Sequence, residues 1–163
     1  MQKITPFLWF DTQAEEAINF YTSIFKNSKI VSMKRYPEGP LDPPMKGMEG
    51  KVLTAVFELE GQQFFALDGG PVFKPTAATS FYVECKDQQE VDYYWEKLTE
   101  GSDPKSWQCG WVSDKYGFWW QIIPVQLPQL LNDPDKVKAD KVLQAMLKMK
   151  KIEVSELEKA YNS

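Results

Sequence analysis

Two segments decide the fold of this chain: Ile4-Thr-Pro-Phe-Leu-Trp-Phe-Asp11 and, after two intervening residues, Ala14-Glu-Glu-Ala-Ile-Asn-Phe-Tyr21. The first is an apolar run, which predicts a β-strand over residues 4–10. In the second, apolar residues recur every three or four positions, which predicts an amphipathic helix to about Ser23. Asp11 directly follows the strand and precedes the helix, so it could either cap the helix or bind a ligand at the end of the strand.

The rest of the first half predicts three further strands. They are expected at Lys29–Tyr36, Lys51–Leu59 and Gln63–Leu67. The intervening Pro37–Gly50 holds four prolines and three glycines and is expected to be a loop. Alternation in the middle strand is expected to place four residues on one face: Val52, Thr54, Val56 and Glu58.

The same order then restarts, and this internal repeat largely decides the architecture. A strand is predicted at Thr79–Cys85, followed by an N-cap at Asp87 and a helix at Glu90–Thr99. Further strands are predicted at Trp107–Val112 and Phe118–Val125. Finding this order twice indicates two related modules within one chain.

Landmarks align the two copies: Asp11 matches Asp87, and Gly61, which breaks the last hairpin, matches Gly117. Only Glu100–Ser106 is available where the first copy has a strand and a long loop, so the second strand of the second copy is expected to be vestigial or absent. The predicted fold class is therefore α+β, with two βαβββ modules of which the second is shortened.

The C-terminal part differs from both copies. Asp133-Pro134 predicts a helix cap followed by proline at the first helical position, and Ser155 with Glu158 predicts a capping box. The predicted boundaries are a paired domain over residues 1–125, with repeats at about 1–72 and 77–125, and a helical extension over 126–163.

Composition restricts the partners and the compartment. Of the 163 residues 43% are hydrophobic, ample for a core, and the net charge of -4 argues against nucleic acid as a partner. No apolar stretch approaches the roughly 20 residues of a membrane helix, and no signal region precedes the first strand. We therefore expect a cytoplasmic protein with no nucleic-acid or membrane partner, and with Cys85 and Cys109 as free thiols.

The chain contains no histidine. Histidine is the commonest metal ligand and the usual general base near neutral pH. Its absence excludes most hydrolase triads, zinc sites and non-haem iron sites. What remains is ligand binding, carboxylate or cysteine chemistry, or a metal held by oxygen ligands alone.

Four segments carry a resemblance to a known superfamily. Two are those quoted above, and the others are Phe65-Ala-Leu-Asp-Gly-Gly-Pro71 and Cys109-Gly-Trp-Val-Ser-Asp-Lys-Tyr-Gly-Phe-Trp-Trp-Gln121. With the repeated order of elements, they make residues 1–125 resemble the vicinal oxygen chelate superfamily, which contains glyoxalase I, extradiol dioxygenases, and fosfomycin and bleomycin resistance proteins. The more similar branch is the PhnB-like one, often labelled 3-demethylubiquinone-9 3-methyltransferase domain.

The resemblance implies that each module is a curved half-cup of sheet, that two half-cups build a glyoxalase-like cup, and that the protein forms a homodimer. It also implies that a metal would be held by the first and last strands of each repeat. Those positions correspond here to Ile4 (or Pro6), Phe65, Ser80 and Gln121. Two of them are apolar, and a dication needs several anionic or imidazole ligands. We therefore expect no metal and no other cofactor, with a divalent metal as the alternative.

Candidate functional residues follow from alternation along the strands and from the aromatic content. Glu58 and Glu84 are candidate general bases, since burial in an apolar cup raises the pKa of a carboxyl group toward neutrality; the alternative is a pair of solvated strand-end side chains. The candidate ligand-binding residues are Trp9, Tyr36, Thr54, Ser80, Tyr82, Trp107, Cys109, Trp111, Trp119 and Gln121. Core packing alone could account for most of the aromatic members. The turn Asp68-Gly69-Gly70-Pro71 could offer backbone amides to an anion, or could simply end a strand.

We therefore predict a metal-free protein that binds a small molecule in the cup. One alternative is an enzyme, a lyase, isomerase or dioxygenase with a divalent metal or a glutamate base. Another is the methyltransferase of the branch label, although the first strand ends without the glycine-rich turn of a Rossmann-type cofactor site. A third is a structural protein whose cups are filled by aromatic side chains.

Overall fold

The computed structural model describes residues 2–163, which divide into two compact units, one ending at Pro75 and the other spanning Thr76–Ser163. The elements of the first unit are β1 (Phe7–Phe10), α1 (Ala14–Ile24), β2 (Ser28–Arg35), β3 (Val52–Leu59) and β4 (Gln62–Asp68). Those of the second unit are β5 (Ser80–Cys85), α2 (Gln88–Leu98), β6 (Trp111–Ser113), β7 (Trp119–Pro124), α3 (Gln126–Leu131), α4 (Lys136–Met146) and α5 (Val154–Tyr161). The division between the units falls between the two predicted repeats.

The strands of the first unit form one sheet in the order β1-β4-β3-β2, with β1 parallel to β4 and the other pairs antiparallel. One face of this sheet packs on α1. Besides Val52 and Asp68, the buried residues of β3, β4 and α1 are Ala55, Phe57, Leu59, Phe64, Ala66, Ala14, Ala17, Ile18, Tyr21 and Ile24. Their spacing, every second residue in the strands and every third or fourth in the helix, is what buries one face of each element.

Val52 departs from the predicted alternation. It is fully buried while Leu53 is exposed, because the ladder between β2 and β3 shifts its register between Lys34 and Arg35. An irregularity of one residue moves a side chain to the other face of the sheet. Thr54, two residues further along β3, is half-buried on the face away from α1.

The strands of the second unit form a smaller sheet in the order β5-β7-β6, with β5 parallel to β7 and β6 antiparallel to it. Between α2 and β6 the described chain forms a 3-10 turn at Pro104–Ser106 and an isolated bridge between Gln108 and Trp111, and no counterpart of β2. The second module is therefore shortened, as predicted, and the strand expected at Trp107–Val112 is reduced to β6.

Matching registers relate the two modules. Phe7 pairs with Phe65 three residues before the end of β1, and Tyr82 pairs with Gln121 three residues before the end of β5. In each unit a helix follows this first strand and packs on the sheet. These features confirm the α+β class, with two related modules of unequal length.

Three helices follow the second sheet and pack through one apolar cluster. Its buried members are Ile123, Leu127, Val142, Ile152 and Leu157. In addition, the backbone N–H groups of Cys109 and Gly110 donate to the carbonyl oxygens of Met149 and Lys150, at 2.9 and 2.7 Å. The C-terminal helices are thus joined to the second sheet by apolar packing and by backbone hydrogen bonds.

The helices are short. Those within residues 2–163 have at most 11 residues, and none of them combines the length and the apolar character needed to cross a membrane.

Candidate functional site

One face of the second sheet, on the side away from α2, carries half of the predicted ligand-binding residues. We call it the second-sheet face and define it by Ser80, Tyr82, Glu84, Trp111, Trp119 and Gln121. These residues alternate along their strands with Cys85, Val112, Trp120 and Ile122, which are buried. The strand β5, and β7 from Trp119 to Ile122, thus have the alternation that their sequences predict, whereas Ile123 of β7 is buried in the apolar cluster with the C-terminal helices.

Gln121 lies at the centre of the second-sheet face. Its register neighbours are Tyr82 on β5 and Trp111 on β6, and Trp119 lies two residues before it on β7. The Nε2 atom of Gln121 donates a hydrogen bond to Ser80 Oγ at 2.9 Å. The rings of Trp111 and Trp119 meet edge to face, with centroids 6.5 Å apart. A single amide is therefore framed by three aromatic rings.

The two tryptophans of this face keep their indole N–H groups available. Trp9, Trp107 and Trp120 each donate an indole hydrogen bond to a protein acceptor, at 2.8 or 2.9 Å. Within residues 2–163 no acceptor meets the N–H of Trp111 or Trp119, and both side chains are half-buried. Neither indole nitrogen is among the buried side-chain atoms of the described chain that lack a partner, so both N–H groups are accessible from solvent and can donate to water or to a ligand.

The registers correct one predicted metal position. In the second unit, Gln121 pairs with Tyr82, and Ser80 lies two residues before Tyr82. In the first unit, Phe65 pairs with Phe7, and the residue two positions before Phe7 is Thr5. Thr5 lies between Ile4 and Pro6, the two residues that the sequence predicted for this position. One of those, Ile4, precedes β1 and is 88% exposed. Counting back from Asp11 and Asp87 gives Ile4 as the equivalent of Ser80, whereas the strand register gives Thr5.

None of these positions supplies a carboxylate or an imidazole. Phe65 meets Phe7 edge to face, with centroids 5.7 Å apart, while Ser80 and Gln121 bond to each other. In the described part of the chain, no three His, Cys, Asp or Glu side chains come together where they could hold a metal ion. Because a dication needs several anionic or imidazole ligands, the residues present do not fit one.

The two candidate general bases, Glu58 and Glu84, are not buried as a raised carboxyl pKa would require. Glu84 is exposed, and Glu58, 28% exposed, forms an ion pair with Lys29 Nζ at 3.1 Å. Desolvation is what would raise a carboxyl pKa toward neutrality. General-base catalysis by Glu58 or Glu84 therefore stays a prediction without this structural support.

Trp9 is held by the turn that follows β4. Its indole N–H donates to the carbonyl oxygen of Gly70 at 2.9 Å, and its ring meets Phe73 edge to face. The ring lies directly over Gly69, where a Cβ atom would come within 2.2 Å of it. Gly69 and Gly70 donate their own N–H groups to the carbonyl oxygens of Phe10 and Asp11. These amides are thus used in hydrogen bonds to the residues at the end of β1, which favours the structural interpretation of Asp68-Gly69-Gly70-Pro71.

Tyr36 belongs to the core of the first unit. It is buried, and its hydroxyl donates to the carbonyl oxygen of Asp68 at 3.2 Å. Burial, with the negative charge of Asp68, raises the pKa of this phenol. Of the predicted residues of the first unit, Trp9 and Thr54 are the half-buried ones.

Trp107 and Cys109 contact other parts of the second unit. Trp107 meets Trp95 of α2 edge to face, with centroids 5.8 Å apart, and donates to Ser102. Cys109 has a left-handed backbone with φ of 50°, and its thiol donates to the carbonyl oxygen of Met146 at 3.4 Å. The predicted residues of the second unit therefore divide into those on the second-sheet face and these two, which lie against α2 and the end of α4.

Cys85, the other thiol, is unsuited to chemistry. It is fully buried, and burial raises its pKa to about 12. The thiolate is the reactive form of cysteine, so Cys85 is a core residue.

Sequence patterns missed the role of Asp68, whose side chain is 1% exposed. Its Oδ1 accepts from the N–H of Ala14 at 2.8 Å and its Oδ2 from that of Val52 at 2.9 Å. Asp68 thereby takes the capping role expected of Asp11, since Gln13, the N-cap residue of α1, makes no side-chain cap. Burial raises the pKa of Asp68 in spite of these two hydrogen bonds. The available signal was an aspartate that ends a strand at a glycine pair.

Asp68 also borders a polar cavity of about 280 Å³ in the first unit. The other lining residues are Thr12, Glu15, Arg35, Glu38, Glu49, Gly50, Lys51 and Val52. Arg35 donates to Glu15 Oε1 at 2.7 Å and to the carbonyl oxygen of Gly50 at 3.3 Å. Small-molecule pockets are mostly apolar with a few polar groups, so the second-sheet face is the stronger candidate site.

Comparisons with known proteins identify a family and a fold. The family model described as 3-demethylubiquinone-9 3-methyltransferase matches residues 2–123, so the C-terminal helices lie beyond the match. The PhnB protein from Bacillus cereus is 42% identical over 76% of this chain and 100% of that chain, with a TM-score of 0.64. No curated protein with significant similarity was found.

More distant structures show the fold alone. The fosfomycin resistance protein FosX from Listeria monocytogenes is 15% identical over 81% of this chain and 98% of that chain, with a TM-score of 0.56. A FosX variant complexed with Mn(II) and 1S,2S-dihydroxypropylphosphonic acid is 14% identical over 79% of this chain and 99% of that chain, with a TM-score of 0.53.

Proposed function

The chain belongs to the 3-demethylubiquinone-9 3-methyltransferase family, in the PhnB-like branch of the vicinal oxygen chelate superfamily, and we propose that it binds a small planar molecule on the second-sheet face without a metal ion. The observation that supports this most is the Gln121 amide framed by three aromatic rings. The resemblance to the vicinal oxygen chelate superfamily implies a metal ligand at this position.

Aromatic surface is available for such a molecule. Tyr82 is 52% exposed, and Trp111 and Trp119 are half-buried with unpaired indole donors in the described chain. A ring that stacks on an aromatic side chain gains about 0.5–1.5 kcal/mol beyond the area it buries. Aromatic walls with a few polar groups are the usual composition of a small-molecule site.

A metal-dependent enzyme is an alternative with less support. The Mn(II) complex is known for FosX, which shares only the fold with this chain. Here Ser80 and Gln121 offer neutral oxygens, and Thr5 and Phe65 stand at the equivalent positions of the first unit. Neutral side chains suit a neutral ligand better than a dication.

Methyl transfer, which the family description names, is the other alternative. An S-adenosylmethionine site of the Rossmann type uses free amides of a glycine-rich turn. The glycine pair that follows β4 has no free amide, since Gly69 and Gly70 donate to the carbonyl oxygens of Phe10 and Asp11 at the end of β1. This supports ligand binding over methyl transfer.

Calorimetric titration of the full chain tests the proposal, with quinoline as the planar probe and with S-adenosylmethionine and Mn²⁺ in parallel. We expect quinoline to bind with a Kd below about 1 mM, as its small size allows. Trp119→Leu should weaken binding at least tenfold, the loss of about 1.4 kcal/mol. The matched control is Trp107→Leu, which changes a tryptophan away from the second-sheet face and should leave the Kd within about twofold.

Three results would overturn the proposal. The first is the absence of quinoline binding, and the second is equal weakening by Trp119→Leu and Trp107→Leu. The third is near-stoichiometric metal in protein purified without chelator that is lost on Gln121→Leu, which would favour the metalloenzyme. Tight binding of S-adenosylmethionine alone would favour methyl transfer.

A further inference from the structure

We propose that the molecule bound on the second-sheet face carries a cyclic amide edge, an N–H and a C=O side by side on a planar ring, and that Ser80 and Gln121 recognise this edge together. This inference rests on the proposed function, because it identifies the ligand class of the same site.

Ser80 and Gln121 use only part of their hydrogen-bonding capacity on each other. The bond from Gln121 Nε2 to Ser80 Oγ, at 2.9 Å, leaves the Oε1 acceptor and the second N–H of Gln121, and the O–H donor of Ser80. Within residues 2–163 none of these groups meets another protein partner. Among the described residues, the buried side-chain atom without a partner is Gln126 Oε1. Gln121 Oε1 has no partner either but is not buried, so it is accessible from solvent. The pair therefore offers an acceptor with donors beside it.

The hydrogen-bonding groups that Ser80 and Gln121 present to a ligand do not depend on which way the Gln121 amide is oriented. If the amide turns over, the Ser80 hydroxyl donates to Gln121 Oε1, and the pair then presents the Nε2 donor and a lone pair of Oγ. In both arrangements a donor lies beside an acceptor. A cyclic amide edge matches both, because it presents an N–H donor beside a C=O acceptor.

Charged ligands match this pair poorly. A carboxylate brings acceptors without a donor, and it would share the second-sheet face with the carboxylate of Glu84. An ammonium group brings donors without an acceptor. Moving either charge out of water without an opposite charge is unfavourable. The neutral Ser80–Gln121 pair thus selects a neutral ligand.

The flanking rings place the planar part of the ligand. Tyr82 and Trp111 lie on either side of Gln121 across the sheet, and Trp119 precedes it on the same strand. In the first unit the equivalent of Gln121 is Phe65, which meets Phe7 and has no amide. The chain therefore carries this donor–acceptor pair in one module, which makes the second module the one that recognises the edge.

Three probes with the same bicyclic ring frame test the inference by calorimetry on the full chain. They are 2-quinolone, which has the cyclic amide edge, 1-methyl-2-quinolone, which lacks the N–H, and quinoline, which lacks the carbonyl. We expect 2-quinolone to bind at least tenfold more tightly than either of the others, the effect of about one net hydrogen bond. Gln121→Leu and Ser80→Ala should each remove most of this preference and leave the Kd of quinoline within about threefold.

Quinoline binding also serves as the readout that the variants are folded. Gln89→Leu changes an exposed glutamine on α2 and is the matched control, expected to keep the preference. Equal affinity for the three probes would overturn the inference and leave the proposed function standing. A preference that survives in Gln121→Leu would also overturn it. Failure of the three probes to bind would overturn both the inference and the proposed function.

Discussion

Asp68, the last residue of β4, caps helix α1 through the backbone N–H of Ala14, which lies 54 residues earlier in the chain. Its other carboxylate oxygen accepts from the N–H of Val52 at the start of β3. The first N–H groups of a helix have no partner within the helix, and its positive end favours a carboxylate. One buried side chain thus joins the start of the helix to two neighbouring strands, which gives Asp68 a structural role.

Replacing Asp68 by asparagine should destabilise the first unit. Asparagine keeps one acceptor oxygen but puts an NH2 donor opposite one of the two buried N–H groups. We expect the free energy of unfolding to fall by about 1–3 kcal/mol, measured by urea denaturation. Asp87→Asn is the matched control: Asp87 caps α2 through the N–H of Glu90 with Oδ1 alone, and asparagine caps equally well. Equal losses for the two variants would contradict this account of Asp68.

The ion pair between Lys151 and Asp92 should contribute a pH-dependent part of the stability. A hydrogen bond from Lys151 holds the pKa of Asp92 below its usual range. A carboxyl group whose pKa is lowered by folding stabilises the fold above its unfolded pKa, about 3.9, and this contribution is lost as the pH falls through the folded-state pKa. Asp92→Asn should therefore lower the free energy of unfolding near pH 7 by at most about 1 kcal/mol, since the pair is partly exposed.

The difference between wild type and Asp92→Asn should vanish in acid, once Asp92 is protonated in the folded protein. Urea denaturation at a series of pH values measures it. Asp140→Asn, at an exposed position on α4, is the control and should follow the wild-type profile. A difference that persists unchanged into acid would show that packing, and not charge, connects α2 to the C-terminal segment.

Local sequence patterns predicted the strands and the faces of their side chains. They failed where a contact between residues far apart in the sequence determines the role of a side chain. The alternation that places Tyr82 and Gln121 on one face depends only on the period of a strand. Capping of α1 by Asp68 joins residues far apart in sequence, so the nearer Asp11 was the better local candidate. Val52 was misplaced for a similar reason, because the bulge that buries it depends on the pairing of two strands. Similarly, no local pattern could show that Cys109 meets the end of α4.

Gly69→Ala should disturb the position of Trp9. The new Cβ atom would lie 2.2 Å from the indole ring, so the ring must move and its hydrogen bond to Gly70 is lost. We expect a destabilisation of about 1–3 kcal/mol, as for other overpacked sites, and a change in the tryptophan emission spectrum. Gly39→Ala is the matched control because a Cβ there meets nothing within 4 Å. A neutral Gly69→Ala would mean that Trp9 is free to move aside.

The C-terminal helices should contribute to the stability of the second unit through Ile152. This residue is fully buried in the cluster with Ile123, Val142 and Leu157, so Ile152→Ala removes packed methylene groups and leaves a cavity. We expect a loss of about 2–5 kcal/mol in the free energy of unfolding by urea. Leu147→Ala removes similar groups from a side chain that is 49% exposed and should lose less than about 1 kcal/mol. Similar losses for the two variants would show that these helices do not depend on the buried cluster for their attachment to the second sheet.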